Sequence, residues 1–431
     1  MQQGKEEHFT LISKWGCDGA SGLTEYKQRF QIASNKDSSI FFSSFVPLQI
    51  QNSWNVEDII WDNDRPGSSF WCRPLHLQFC SETDEVIHTE CSRIESEISA
   101  LQPYEKMIKD CKIIVSFSLY LTMIDGKCVN TLTDTSSAQR CYACKATISE
   151  FNNIDKMLTL NVNEDYLNYG ISSLHCWIRC FECMIHIAYR LEFRRWRKSG
   201  FEMQFEAAKI RIQADFKRKM GLIVDKPKPG GCGNSNDGNT ARRFFADSET
   251  SAEITGVNLE LIKRLRAILI AISCFENIDE DKFKVYCTDT AKHYVELYPW
   301  YYMPTSMHRI LIHGYRIIQT SILPIGRMTE EAQEKSNKVI KKTREHFSRK
   351  NRREHTNRDI INRILVSTDP IINSYFEKEK VHNKSYPDEV KLLLKTKHEE
   401  MYIYDENENL DVDDNDDDDD DEDEAQEEES D

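Results

Sequence analysis

The spacing of apolar residues changes once along the chain, from strand-like to helix-like, and this change limits the possible folds more than any other feature. Aromatic and β-branched residues, which favour strands, are concentrated in residues 9–16, 40–50, 70–79 and 111–124. Residues 86–101 instead place Ile87, Cys91 and Ile94 at helical spacing. The early region therefore predicts three strands, a helix and a fourth strand.

Helical spacing dominates from about residue 174 onward. It covers the segments 175–198, 205–220, 259–272, 304–322 and 330–353. We therefore expect an α/β part followed by an α part. The expected regions are strands in 1–135, a mostly helical insertion in 136–325, a basic helical region in 326–404 and a tail in 405–431.

The tail is a separate polyanion. It contains 19 Asp and Glu and no Lys or Arg, while the whole 431-residue chain has a formal charge of −16. Without the tail, 53 acidic residues face 56 basic ones, so the body carries about +3. Such a segment cannot bury enough apolar surface to fold, and we expect it to be disordered. It either solubilises the chain, or competes with DNA for the basic surface or contacts histones.

Composition also excludes some classes of protein. No apolar run approaches the ~18 residues of a membrane span, so we expect no membrane partner. The N-terminal sequence MQQGKEEHFT lacks the apolar region of a secretory signal. The 14 cysteines are therefore expected to be thiols or metal ligands, not disulfides.

Three acidic residues are candidate ligands for divalent cations. Asp18 follows the first predicted strand, Asp125 ends the fourth, and Glu334 lies on a late helix just before a strongly basic stretch. Two-metal phosphoryl chemistry uses hard oxygen ligands of this kind, held on rigid elements. The chain has 72 acidic residues, however, so the pattern alone does not single out this triad.

A second signal is metal-ligand spacing. Cys141 and Cys144 form a Cys-x2-Cys pair, and His308 and His313 form a His-x4-His pair. Each pair supplies half of a Cys2His2 zinc site. Residues five apart lie ~140° apart on an ideal helix, so the histidines need a helix end or a tilt to bind one ion.

A competing group of possible ligands lies at the start of the helical region. It consists of His175, Cys176, Cys180 and Cys183. The cysteines are spaced as on one buried helical face, and free cysteine is commonly a small buried hydrophobe. We therefore favour a core role for this group over a metal site.

Basic residues near the C-terminal end predict phosphate binding. Residues 335–358 hold ten Lys and Arg against two Glu, an imbalance that a solvated helix face does not show. The candidate phosphate ligands there are Lys338, Lys341, Lys342, Arg349 and Lys350, and a smaller candidate is the pair Arg242 and Arg243.

Taken in order, these features resemble the catalytic core of the V(D)J recombinase large subunit and its relatives, the Transib-type transposases. No single motif is specific, but the ordered set is, and it covers about residues 10–365. Besides the Cys and His pairs, the matching segments are Cys17-Asp18-Gly19, Cys72-Arg73-Pro74-Leu75, Asp125-Gly126-Lys127, Leu174-His175-Cys176, Lys219-Met220-Gly221-Leu222, the segment 236–243, Ile325-Gly326, Glu334 and Ser336-Asn337-Lys338.

The resemblance implies an RNase H-like catalytic domain with a large zinc-containing helical insertion. Asp18, Asp125 and Glu334 would be the catalytic residues and would hold Mg²⁺ or Mn²⁺, while the Cys and His pairs would hold structural Zn²⁺. The implied activity is that of a DNA endonuclease and recombinase, which nicks DNA and then uses the freed 3′-hydroxyl for transesterification. A nuclear location, a homodimer and a second recombinase subunit are implied as well.

Only 17 residues precede Asp18, so we expect the family's N-terminal ubiquitin-ligase and end-recognition regions to be missing from this chain. An alternative hypothesis is a domesticated fragment that is catalytically inactive and binds DNA or chromatin through its basic helices. A third is a DNA-repair or RNA-processing nuclease on the same fold, because fold alone does not determine function.

Overall fold

The structure is a computed structural model that describes residues 5–23, 25, 37–227, 234–375 and 385–395. The acidic tail, with the disorder and histone contact predicted for it, lies outside these residues. Within the described ranges, none of the helices combines the length and the apolar character that a membrane crossing requires.

Six strands form one mixed sheet. They are β1 (Lys5–Ser21), β2 (Ser39–Asn52), β3 (Ile59–Asp62), β4 (Arg73–Gln78), β5 (Tyr104–Ile108) and β6 (Cys111–Leu121). The strand order is β3-β2-β1-β6-β5, and β4 also pairs with β2. β1 is antiparallel to β2 but parallel to β6, with Trp15 opposite Leu121. The carboxyl ends of β1 and β6 therefore lie at the same edge of the sheet.

Fifteen helices are described, most of them after the sheet. Their bounds are α1 (Asp84–Ala100), α2 (Gly126–Leu132), α3 (Ile154–Thr159), α4 (Ser173–Ala188), α5 (Glu202–Met220), α6 (Gly238–Ala246), α7 (Ser248–Thr255), α8 (Leu259–Ser273), α9 (Glu280–Leu297), α10 (Thr305–His308), α11 (Gly314–Thr320), α12 (Glu331–His346), α13 (Arg353–Ser367), α14 (Pro370–Ser374) and α15 (Asp388–Lys391). The expected mixed α/β architecture, with strands first and helices later, is confirmed.

Helices cover both faces of the sheet. Successive side chains of a strand point to opposite faces, so the neighbours Phe41 and Phe42 of β2 belong to two different apolar clusters. On one face, Phe41 packs in a cluster with Ile87 of α1 and the helical region from α4 onward. On the other, Phe42 shares a cluster with Ile340 of α12 and Ile360 of α13. The chain thus leaves the sheet at α2 and returns to it at α12.

Cysteines Cys176, Cys180 and Cys183 of α4 are buried, with exposures of 4%, 1% and 2%. Burial of all three on one helix confirms the core role expected for them. No disulfide is present among the described cysteines.

Several predicted boundaries were wrong. Asp18 does not follow the first strand but lies within β1, opposite Phe42. β3 and β5 were not predicted, because β3 has four residues and every residue of β5 is exposed, which leaves no apolar alternation to detect. The helix expected over 175–198 ends at Ala188, and the one expected over 330–353 ends at His346.

The segment after β6 crosses β1 at very short range. The backbone N–H groups of Thr122 and Met123 donate to the Trp15 carbonyl at 3.2 and 3.1 Å. A Cβ atom on Gly16 would lie 1.8 Å from the Met123 carbonyl oxygen. Only glycine permits this approach, which leads the chain to Asp125 beside the end of β1.

We expect Gly16→Ala to lower the free energy of unfolding by roughly 1–3 kcal/mol, because the added methyl group meets the Met123 backbone, which a hydrogen bond to the Trp15 carbonyl holds against β1. Chemical denaturation monitored by circular dichroism measures this loss. In the matched variant Gly126→Ala the nearest atom is a flexible arginine nitrogen 3.7 Å away, so that variant should lose no stability. Equal losses in both variants would contradict the close approach.

Candidate active site and metal centre

The three predicted catalytic carboxylates converge. Asp18 of β1, Asp125 just before α2 and Glu334 in the first turn of α12 line one cavity of about 320 Å³. Their elements are far apart in sequence, but the parallel pairing of β1 with β6 and the return of α12 to the sheet bring them together.

The surroundings of Asp18 strongly raise the pKa of its carboxyl group. Its Oδ2 accepts a hydrogen bond of 2.7 Å from the Asn337 side-chain amide. Burial, followed by the negative charges of Asp125, Glu82 and Glu334, raises its pKa to about 8, and nearby His175 offsets this only partly. Like charges held this close favour binding of a proton or a cation.

Asp125 is oriented by the helix that it caps. Its Oδ1 accepts hydrogen bonds from the backbone N–H groups of Lys127 (2.9 Å) and Cys128 (2.8 Å). This N-cap arrangement holds the carboxylate rigidly. Asp125 Oδ2 makes no hydrogen bond to any residue that the structure describes, so it can serve as a ligand.

Glu82 is a fourth carboxylate that the sequence analysis missed. Ligand atoms of Glu82, Asp125 and Cys128 lie within 4.8 Å of one another, and an acidic group of this kind could bind Mg²⁺. Glu82 also pairs with Lys127 Nζ at 3.0 Å. It follows the end of β4 by four residues, much as Asp125 follows β6, so the same strand-end criterion could have found it.

Three glutamates at the start of α12 have different surroundings. Glu330 accepts hydrogen bonds from Ser172 Oγ and, at 3.1 Å, pairs with His175 Nδ1. Glu331 pairs with Arg242 at 2.6 Å. Glu334 forms no ion pair with the described part of the chain, and burial raises its pKa despite the nearby charge of Lys338. Of the three, Glu334 is therefore the one available to a cation.

His175 faces the carboxylates, which the sequence analysis did not anticipate. It lines the same cavity as Asp18 and Glu334. Burial alone would lower its pKa, but the hydrogen bond to Glu330 and the surrounding negative charges raise it to about 9. The imidazole is therefore protonated at neutral pH and partly balances the carboxylates.

The Cys and His pairs also converge, in a separate cluster. The ligand atoms of Cys141, Cys144, His308 and His313 all lie within 4.8 Å of one another. The two Nε2 atoms are 3.1 Å apart, and Cys144 Sγ lies 3.5 Å from His308 Nε2. A tetrahedral zinc ion with ordinary bond lengths requires separations of about 3.4 and about 3.6 Å. The cluster could thus hold a metal ion such as zinc.

A π-helical turn allows both histidines of the His-x4-His pair to face the same site. Residues Arg309–His313 form this turn between α10 and α11. A π turn hydrogen-bonds residues five apart, so it moves His308 and His313 onto one face. Phe151 stacks on the His308 ring with centroids 4.0 Å apart and an interplanar angle of 7°, which holds that ring in place.

The predicted phosphate ligands differ in their surroundings. Lys338 and Lys341 are exposed and line the carboxylate cavity, and Lys342 is exposed beside them. Arg243 is exposed but donates to the Met220 carbonyl at 2.5 Å, and Lys350 donates to the Glu345 carbonyl at 2.5 Å.

Arg242 and Arg349 are already paired with carboxylates. Arg242 binds the buried Glu331, and Arg349 makes hydrogen bonds of 3.0 and 2.8 Å to the two oxygens of Asp359. These partners neutralise both guanidinium groups within the fold. Fewer basic side chains are therefore available to bind phosphate than the number of Lys and Arg in the sequence suggests.

Comparison with known proteins adds no identification. No family model matches the chain, and no curated protein matches it significantly.

We expect Asp18→Asn to stabilise the chain at pH 8 in the absence of added Mg²⁺ or Mn²⁺, by about 1–3 kcal/mol. The folded state holds the Asp18 proton up to about pH 8, whereas the ordinary value is 3.8, so this group costs stability as the pH rises between these values. Urea denaturation at several pH values measures the difference, which should vanish near pH 4. If Asp18→Asn gains no more stability at pH 8 than the exposed control Asp110→Asn, the negative charges around Asp18 do not destabilise the fold, and the prediction is wrong.

Purified chain is expected to contain about one zinc ion, and Cys141→Ser should lose it and melt at a lower temperature, because a closed Cys2His2 site contributes folding energy. Metal analysis by mass spectrometry and thermal denaturation test this. Cys111→Ser, in the half-buried part of β6, is the control. Unchanged zinc content in Cys141→Ser would rule out the site.

Proposed function

We propose that this chain is a divalent-metal-dependent DNA strand-cleaving enzyme, the core of a recombinase or transposase like those it resembles. The observation that carries the proposal is the convergence of Asp18, Asp125 and Glu334 in one cavity bordered by exposed lysines. Clustered carboxylates on rigid elements suit two-metal phosphoryl transfer.

The topology supports an RNase H-like catalytic domain. β1 is flanked by an antiparallel β2 and a parallel β6, with a helix between β4 and β5. The helices between α2 and α12 then correspond to the proposed zinc-containing insertion, and the Cys and His pairs lie within it. Zinc there would tether the 141–144 turn to the segment 305–320.

Each residue of the site has a chemical task in this proposal. Asp18, Asp125 and Glu334 would hold Mg²⁺ or Mn²⁺, which activates the attacking oxygen and stabilises the leaving one. Lys338 and Lys341 would bind phosphate oxygens at the rim of the cavity. His175 on α4, kept protonated by Glu330, would donate a hydrogen bond to a phosphate oxygen.

The proposed partners rest on the resemblance. They are DNA, a second copy of the chain, a separate recombinase subunit, and histones, which the acidic tail would contact. The proposed location is the nucleus.

We expect the chain to nick supercoiled plasmid in Mn²⁺, and Asp125→Ala to reduce nicking at least 100-fold, since loss of an electrostatic catalytic group costs roughly this factor. Binding of DNA should stay within about threefold, because the lysines are intact. Gel analysis of the plasmid and fluorescence anisotropy give the two quantities.

The exposed Asp110→Ala is the matched control. Equal nicking by Asp125→Ala and wild type would overturn the assignment of the site. DNA binding by the wild type without any product in Mn²⁺ would favour the inactive DNA-binding alternative.

A further inference from the structure

A large groove adjoins the carboxylate cavity. It has a volume of about 1030 Å³ and shares Asp125 and His175 with that cavity. One wall comes from α2 and the segment that follows it, and the other from α4 and the segment 304–309. A ligand in the groove therefore runs directly to the proposed site of cleavage.

The cations of this groove differ in their partners. Lys127 pairs with Glu82 at 3.0 Å, and Arg179 pairs with Glu182 at 2.7 Å. Arg309 also lines the groove, yet no Asp or Glu of the described chain forms an ion pair with it. A largely buried guanidinium that makes no direct ion pair costs desolvation energy, so an anion that contacts it would bind favourably.

The Arg309 side chain lies between Tyr142 and Gly126. Its guanidinium lies over the Tyr142 ring, 4.9 Å from the centroid, and its Nε is buried without a hydrogen-bond partner. Its Nη2 is 3.7 Å from the place that a Cβ on Gly126 would occupy. Because Gly126 directly follows Asp125 and both line the groove with Arg309, the guanidinium lies close to one of the proposed catalytic carboxylates.

The surroundings favour a phosphate over a carboxylate ligand. The neighbouring cavity is lined by Asp18, Asp125 and Glu334, and the divalent cations proposed for it would be shared with a phosphodiester, the group on which two-metal sites act. Hydroxyl groups of Ser136, Ser137, Thr305 and Ser306 also line the groove, and such groups commonly contact nucleic-acid phosphates and sugars.

We propose that Arg309 binds a backbone phosphate of the DNA strand, close to the phosphate that is cleaved. This phosphate subsite rests on the proposed function. It lies on the insertion, whereas Lys338 and Lys341 lie on α12, so two separate parts of the chain would hold the strand. Arg309 directly follows His308, and the turn that forms the Cys and His cluster therefore also positions the guanidinium.

Binding of duplex DNA to the full chain, in Ca²⁺ to suppress cleavage, tests the subsite. Arg309→Gln should weaken affinity about tenfold and reduce the slope of log K against log salt by about one, because one phosphate contact is lost. Arg309→Lys keeps the charge and should restore the slope. Arg264→Gln is the matched control, since Arg264 lies 5.2 Å from the Tyr286 ring but is already paired with Glu260.

A second measurement uses the wild-type protein alone, so it does not depend on whether the variants fold. Single neutral methylphosphonate linkages are scanned along the strand. One linkage near the cleaved phosphate should weaken binding about tenfold, whereas free phosphate at millimolar concentration should not compete.

The outcomes separate the two claims. Failure of the wild type to bind DNA overturns the proposed function and the subsite together. Normal affinity and salt slope in folded Arg309→Gln, or no sensitive linkage in the scan, overturns the subsite alone. Equal competition by free phosphate would show an anion site unrelated to DNA and would also overturn it.

Discussion

The close passage of residues 122–125 across Gly16 is the constraint on which the site depends. Parallel pairing of β1 with β6 brings the two strand ends to one edge of the sheet. The contact of Met123 with Gly16 then leads the chain into α2 at a position beside Asp18. Any side chain at position 16 would push these two segments apart, and the separation between the two aspartates would grow with it.

This geometry brings several negative charges together, and neighbouring residues form hydrogen bonds with them. Asn337 donates to Asp18, the backbone of α2 donates to Asp125, and His175, which pairs with Glu330, places an imidazole beside the carboxylates. These contacts orient the carboxylates but do not neutralise them, as the raised pKa of Asp18 shows. A site that tolerates this repulsion is suited to binding cations, and stability is given up for function at such sites.

Several residues that converge in the fold could be selected from the sequence, because Asp125 follows a strand and the Cys and His pairs carry metal-ligand spacing. Asp18, by contrast, lies within β1 and not after it. Glu82 was missed although it also follows the end of a strand. His175 was assigned to the core, because its contact with Glu330 forms only in the fold. The helix geometry at His308 and His313 needed a π turn, which residue spacing does not reveal. Arg242 and Arg349 were overestimated as phosphate ligands because their carboxylate partners, Glu331 and Asp359, become neighbours only after folding.

The most direct test is a crystal structure of the full chain soaked in Mn²⁺, with anomalous scattering recorded at the manganese and zinc edges. The proposed chemistry predicts two manganese peaks about 4 Å apart between Asp18, Asp125 and Glu334. It also predicts one zinc peak among Cys141, Cys144, His308 and His313. Absence of manganese at the carboxylates, with the side chains placed as described here, would contradict the central claim that this cavity is a two-metal site.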